Sequence, residues 1–151
     1  MPTSINYSFT QRFRVPASRA FKWLTDYDPV DLDLMEEDGK REVEKLTEDT
    51  FVLTDTYDRD QDTVTKIKLV RLRPSDMTWT STHIEGPVKY SQFLYKVTPE
   101  GKKNCRVDFV GLQLEPNDVP KKDAAALARK YRTEDSAAWK KLARAMEKEL
   151  L

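Results

Sequence analysis

Ile5, Tyr7, Phe9, Gln11, Phe13 and Val15 alternate along the chain with Asn6, Ser8, Thr10, Arg12 and Arg14. That period of two puts the first set on one face of an extended chain and predicts a half-buried strand. Pro16 ends the strand. From there to Tyr27, the residues Ala20, Phe21, Trp23, Leu24 and Tyr27 fall at helical spacings. Asp28 followed by Pro29 reads as an N-cap with proline at the first helical position, so a second short helix is expected through Met35. Residues 41–46, 50–57, 63–73, 77–84, 89–98 and 104–114 are then rich in Val, Thr, Ile, Phe and Tyr and predict six more strands. The polar clusters between them are so short that neighbouring strands must pair antiparallel, as a meander of hairpins. Only four glycines are present, so most turns have to be built from Asp, Asn, Pro and Ser.

Residues 121–151 contain no Gly or Pro and are dense in Ala, Lys, Arg, Glu and Leu, which predicts one long helix. Its apolar stripe is Leu127, Tyr131, Ala138, Leu142, Met146 and Leu150, with Ala124, Ala128 and Trp139 beside it. Asp135 lies in phase with that stripe, and Thr133-Glu134-Asp135 resembles a capping sequence, so a mid-helix kink or break is expected there. With no repeat and no linker, residues 1–151 form a single α+β domain. A seven-stranded antiparallel sheet needs one face covered, and only the long helix is large enough to do it. Wrapping a sheet around a helix leaves room for a space between them, a favoured place for ligands.

Composition narrows the function classes. Hydrophobic residues make up 38% and charged residues 34% of the 151 positions, a lean interior for this size. No apolar run reaches the roughly 20 residues of a membrane span, so no integral membrane association is expected. The N-terminus lacks the layout of a signal peptide. One cysteine, Cys105, excludes an internal disulfide and a thiolate zinc site. A soluble, cytoplasmic protein is the expectation.

The net charge of zero hides an uneven distribution. Residues 26–62 carry 15 acidic and four basic groups, while the flanking segments carry the basic excess in dispersed form. Without a clustered basic surface, nucleic acid is not an expected partner. The acidic segment 26–62 reads as a solvated surface, or as a docking site for a basic protein partner.

The stretch Val15-Pro16-Ala17-Ser18-Arg19-Ala20-Phe21-Lys22-Trp23-Leu24-Thr25-Asp26 resembles the opening of START-like proteins, in particular the polyketide cyclase/dehydrase and lipid-transport (SRPBCC-type) family. There a first strand runs into a proline-ended turn and then a helix with aromatic and leucine anchors. The element order over the whole chain, the Glu85-Gly86-Pro87 turn and the closing helix are similar as well. The resemblance implies a helix-grip fold, with the long helix gripped by the curved sheet. It also implies a cavity for a hydrophobic small molecule or lipid. Some members of that family are aromatase/cyclases, some carry quinones and some assist a chaperone ATPase. No catalytic motif is common to them, so no catalytic residue carries over. The segment 26–38 lacks the tryptophan-containing second-helix pattern of many relatives.

Candidate chemistry is sparse. His83 is the one histidine, and so the one side chain with an ordinary pKa near neutrality. It lies in phase with Trp79 and Ser81. Facing inward it would be a general base, with Asp55 or Tyr95 as possible partners; at a strand end it would be solvated or simply hydrogen-bonded. A lone histidine is too little for a transition-metal site. Asp58-Arg59-Asp60-Gln61-Asp62 opens like a calcium loop, but Thr63 and Leu69 stand where glycine and glutamate are required. Neither a metal nor another cofactor is expected. Cys105 sits among Lys102, Lys103 and Arg106, which would lower a thiol pKa, although packing is the simpler role.

The aromatic residues carry the most information. Phe9 on the first strand, Phe51 and Leu53, Trp79, Phe93 and Tyr95, and Phe109 are phased for the inward faces of their strands. Tyr131, Trp139 and Leu142 come from the helix. Such walls suit a flat hydrophobic ligand, or they fill the core completely. The expected function is therefore binding or transport of a hydrophobic small molecule or lipid. The alternatives are a cyclase-like enzyme and an interaction module such as a chaperone co-factor.

Overall fold

The computed structural model describes residues 1–27, 39–59 and 62–151. The second short helix expected over 28–35 lies outside the described residues, as do residues 60 and 61 of the acidic turn. Seven strands form one antiparallel sheet: β1 (Thr3–Phe13), β2 (Gly39–Thr47), β3 (Thr50–Arg59), β4 (Asp62–Arg73), β5 (Thr78–Glu85), β6 (Gln92–Pro99) and β7 (Cys105–Glu115). Helix α1 (Ala17–Leu24) follows β1, and α2 (Lys121–Leu150) closes the chain.

The spatial order is β1-β7-β6-β5-β4-β3-β2. Strands β2 to β7 are the expected meander. The first strand adds beside the last, in register from Thr3 opposite Glu115 to Phe13 opposite Cys105. Scarce glycine is used where the backbone requires it. Gly86 and Gly101 take positive φ in the β5–β6 and β6–β7 connections, while Met77 and Tyr90 adopt the same region at a steric cost that glycine would avoid. Gly111 serves a different end: a Cβ there would stand 2.9 Å from the Tyr7 ring. Its absence lets that ring lie against β7.

Packing is dense at one end of the grip. Phe13, Val15, Val97, Cys105, Val107 and Met146 are each no more than 2% exposed. Helix α1 buries Ala17, Ala20 and Leu24, and hydrogen bonds between side chains tie the last turns of α2 to this end. Trp23 Nε1 donates to Glu149 (2.8 Å) and Arg14 Nε to Glu147 (2.7 Å). The buried residues of α2 are Trp139, Leu142, Ala143 and Met146, all in its second half.

The expected break in α2 is absent. The helix runs unbroken through Thr133, whose hydroxyl donates to the Arg129 carbonyl at 2.9 Å, so the capping-type side chain is satisfied within the helix. Asp135 does not cap either. It accepts a 2.6 Å hydrogen bond from the Tyr7 hydroxyl.

Candidate functional site

Between the sheet and the middle of α2, two adjoining hollows of about 220 and 130 Å3 remain open. Arg41, Lys68, Ser81, Tyr95 and Trp139 border both. The larger has an aromatic side of Phe93, Tyr95, Phe109 and Trp139 and a polar side of Arg41, Lys66, Lys68, Tyr57 and His83. The smaller is walled by Trp23, Leu24, Tyr27, Leu53, Trp79 and Leu142. Val88, Gln113, Tyr131 and Glu134 surround an opening toward solvent.

The aromatic side is a continuous stack. Tyr95 lies flat on Trp79 (centroids 4.8 Å apart, 6° between planes) and edge-on to Phe109 (5.2 Å). Phe93 stacks on Phe109 at 5.7 Å, and Trp139 of α2 meets Tyr95 at the same separation. Cross-strand register makes this arrangement, since Trp79 stands opposite Tyr95 and Tyr95 opposite Phe109.

Four neighbouring strands build the polar side. Arg41 of β2 pairs with Asp55 of β3, Asp55 with Lys66 of β4, and Lys68 of β4 with His83 of β5. Lys66 and Lys68 share a phase with Val70 and Leu72, so the strand that contributes to the core at one end delivers lysines to the hollow at the other. An irregularity between Ile67 and Lys68 sits beside this cluster, as bulges next to sites often do. Asp55 is fully buried. Arg41 grips both of its oxygens (2.8 and 2.9 Å), and Lys68 Nζ adds a third bond at 2.9 Å. Burial alone would raise the Asp55 pKa, but the Arg41 hydrogen bonds and the Lys68 charge outweigh it and hold the carboxyl at about 2.

His83 is 6% exposed. Burial, reinforced by the charges of Lys68 and Lys66, pushes its pKa down to about 4, so the imidazole is neutral near pH 7. Its Nδ1 is buried with no hydrogen-bond partner among the described residues. The Tyr95 and Tyr7 hydroxyls are both held protonated, by burial first, and for Tyr7 then by the Asp135 carboxylate it donates to. At the opening Tyr131 donates to Glu115, and burial with that bond pushes the Tyr131 pKa up to about 12.

The three residues raised as bases separate here. His83 and Tyr95 border the larger hollow. Asp55 sits behind the wall, saturated by Arg41 and Lys68, and is a counter-ion instead of a base. His83 is interior, not solvated at a strand end. Of the residues expected to line a ligand space, Phe93, Tyr95, Phe109 and Trp139 border the larger hollow, and Leu53, Trp79 and Leu142 the smaller. Tyr131 stands at the opening. Phe9 and Phe51 point inward without bordering either hollow. Phe9 stacks on Phe109 at 4.5 Å, and Phe51 packs near Tyr27 at 6.5 Å. Cys105 takes the packing role, buried at the dense end; its basic neighbours do not lower the thiol, because burial with the Glu100 charge pushes it up to about 11.

Sequence reasoning missed Arg41, Lys66, Lys68, Tyr7 and Asp135 as a group. The phase signal was present, since Tyr7 alternates with Phe9 and Asp135 lies on the helix stripe. Charged residues in an apolar phase read as exceptions until the sheet brings them together.

No family model matches the chain, and no curated protein is significantly similar to it. Solved structures do match its fold. The Zhui aromatase/cyclase from Streptomyces sp. R1128 superposes with a TM-score of 0.79 at 12% identity, covering 99% of this chain and 97% of that one. Ara h 8.0201 gives 0.74 at 14% identity over 95% and 98%, and TTHA0849 from Thermus thermophilus gives 0.70 at 14% over 96% of each. The chain has the helix-grip fold that its resemblance to START-like proteins implies.

Proposed function

We propose that this protein binds a flat hydrophobic small molecule in the hollow between the sheet and α2, acting as one unit over its whole length. The observation that carries the reading is the stack of Trp79, Tyr95, Phe109, Phe93 and Trp139 beside unfilled space. Rings that merely filled a core would close on one another; these leave room for a further ring to join the stack, where offset or edge contacts add about 0.5–1.5 kcal/mol each. Native mass spectrometry of the protein after expression tests it. The expected result is a retained small hydrophobic molecule, or saturable uptake of an aromatic probe with quenching of Trp139 and Trp79 fluorescence. Absence of both would sink the reading.

A second reading has its own observation. His83, Tyr95 and Asp135 border one hollow, and the similar Zhui protein is an aromatase/cyclase. A neutral imidazole and a protonated phenol across an aromatic pocket can exchange a proton with a carbonyl substrate. His83→Ala separates the two readings: a binder keeps its affinity within a few-fold, whereas an enzyme loses turnover.

A further inference from the structure

The two hollows meet at a waist where Ser81 and Tyr95 border both, with Trp139 reaching it from α2. At about 220 and 130 Å3, each is near the roughly 150 Å3 that takes up one benzene ring. A flat molecule of three rings therefore occupies both and has its middle at the waist. Other phenols around the larger hollow are already engaged, since Tyr7 donates to Asp135 at 2.6 Å and Tyr57 to Asp55 at 3.3 Å. The Tyr95 hydroxyl, kept protonated by burial, makes no hydrogen bond among the described residues. Nor does the hydroxyl of Ser81, a residue 6% exposed. Register sets the two together: Trp79 stands opposite Tyr95 and Ser81 opposite Phe93, so Ser81 and Tyr95 are diagonal neighbours on the inward face. Arg41 and Lys68, also at the waist, are held by Asp55. Interior hydroxyls without a protein acceptor are uncommon. Water can satisfy them, but a hydrocarbon crossing the waist would expel that water and put no acceptor in its place.

We infer that Tyr95 and Ser81 form a carbonyl seat at the waist, and that the ligand is a flat ketone reaching into both hollows with its oxygen held there. This rests on the binding reading above and adds the chemical class. A carbonyl oxygen has two lone pairs and no donor, so it accepts from both hydroxyls and brings no further group to be matched. A ligand hydroxyl would add a donor where two donors already stand. A methylene at the same point would leave both hydroxyls unmet.

9-Fluorenone and fluorene test this on the full chain, because they share a flat three-ring frame and differ only in a carbonyl or a methylene at its centre. In equilibrium dialysis fluorenone is expected to bind about tenfold more tightly, as one or two neutral hydrogen bonds imply. In the infrared its bound carbonyl should absorb at lower frequency than in an apolar solvent, because both hydroxyls draw on the oxygen. Tyr95→Phe removes only the hydroxyl and keeps the ring that lies 4.8 Å from Trp79. It should bring the affinity ratio close to one by weakening the ketone, and return the carbonyl toward its apolar-solvent frequency. Ser81→Ala should do both in part. Equal affinity of the wild type for the two probes would overturn the carbonyl seat while the hydrophobic hollow stands. A preference unchanged in Tyr95→Phe would overturn Tyr95 as its donor, and the seat with it. If neither probe binds, the binding reading falls and the inference follows. Should Tyr95→Phe fail to fold, the wild-type ratio and carbonyl frequency decide, and an unshifted frequency overturns the seat.

Discussion

The two ends of the grip are made from the same strands and the same helix, yet they solve opposite problems. At the dense end Val15, Val97, Val107 and Met146 close on one another with almost no exposed surface. At the hollow end the equivalent strand positions carry Lys66, Lys68, His83 and Tyr7, and α2 presents Asp135 and Ala138. Apolar side chains gain free energy by collapsing together. Charged ones resist collapse, because each needs a partner or water. The space between sheet and helix therefore survives where the sequence places groups that cannot fill it.

This contrast can be broken most severely by removing residues 134–151. That takes away Trp139, Leu142, Ala143 and Met146, every buried residue of α2, and circular dichroism melting should show no cooperative transition. Next comes Asp55→Ala, which strands Arg41 and Lys68 beside a vanished counter-ion. Breaking a buried pair from one side costs about 3–5 kcal/mol, measurable as a drop in the urea midpoint. At the dense end Met146→Ala should cost about 2–5 kcal/mol by leaving a cavity that its neighbours cannot close.

Acid sharpens the comparison, because two buried groups that respond to it, His83 and Asp55, both lie at the hollow end. His83 titrates near 6.5 when unfolded and at about 4 when folded, so between those values the unfolded chain binds more protons. Stability is full above about pH 6.5 and falls as the pH drops through 4, by on the order of 3 kcal/mol. Asp55, held at about 2 against an ordinary 3.8, extends the loss to lower pH. His83→Gln should flatten the upper part of this profile in denaturant titrations and leave the lower part. The smallest effect belongs to Lys66→Gln. Stability should move by less than about 0.5 kcal/mol, as for most half-exposed charges, while the His83 pKa rises because one cation beside it is gone.

The architecture was largely legible in the chain because period is robust. The alternation of β1, the hairpin spacing of β2 to β7 and the stripe of α2 each depend on many residues agreeing. What the period does not encode is which strands meet. Nothing near Thr3 announces that β1 pairs with β7, and without that pairing the contact of Tyr7 with Gly111 and Asp135 is invisible. The aromatic wall was readable for the same reason as the fold, since Trp79, Tyr95 and Phe109 occupy apolar phases. The ionic wall was not. Asp55 looks like a base in sequence and becomes a counter-ion only when β2 and β4 bring Arg41 and Lys68 to it. Phe9 and Phe51 share the inward phase but lie too far along their strands to reach the hollow.

The uneven packing of α2 also separates how the molecule holds together from how it opens. Along its first half no side chain is buried, and the attachments near the opening include two phenol-to-carboxylate hydrogen bonds, Tyr7 to Asp135 and Tyr131 to Glu115, beside the half-buried packing of Ala128 and Tyr131 on Tyr7. Parting those two bonds disturbs none of the residues at the dense end. Amide protons in the first turns of α2 should thus exchange through frequent local openings, while those around Met146 wait for global unfolding. On the proposed binding reading, a ligand would then enter the hollow on the clock of a fraying helix, not on that of the fold.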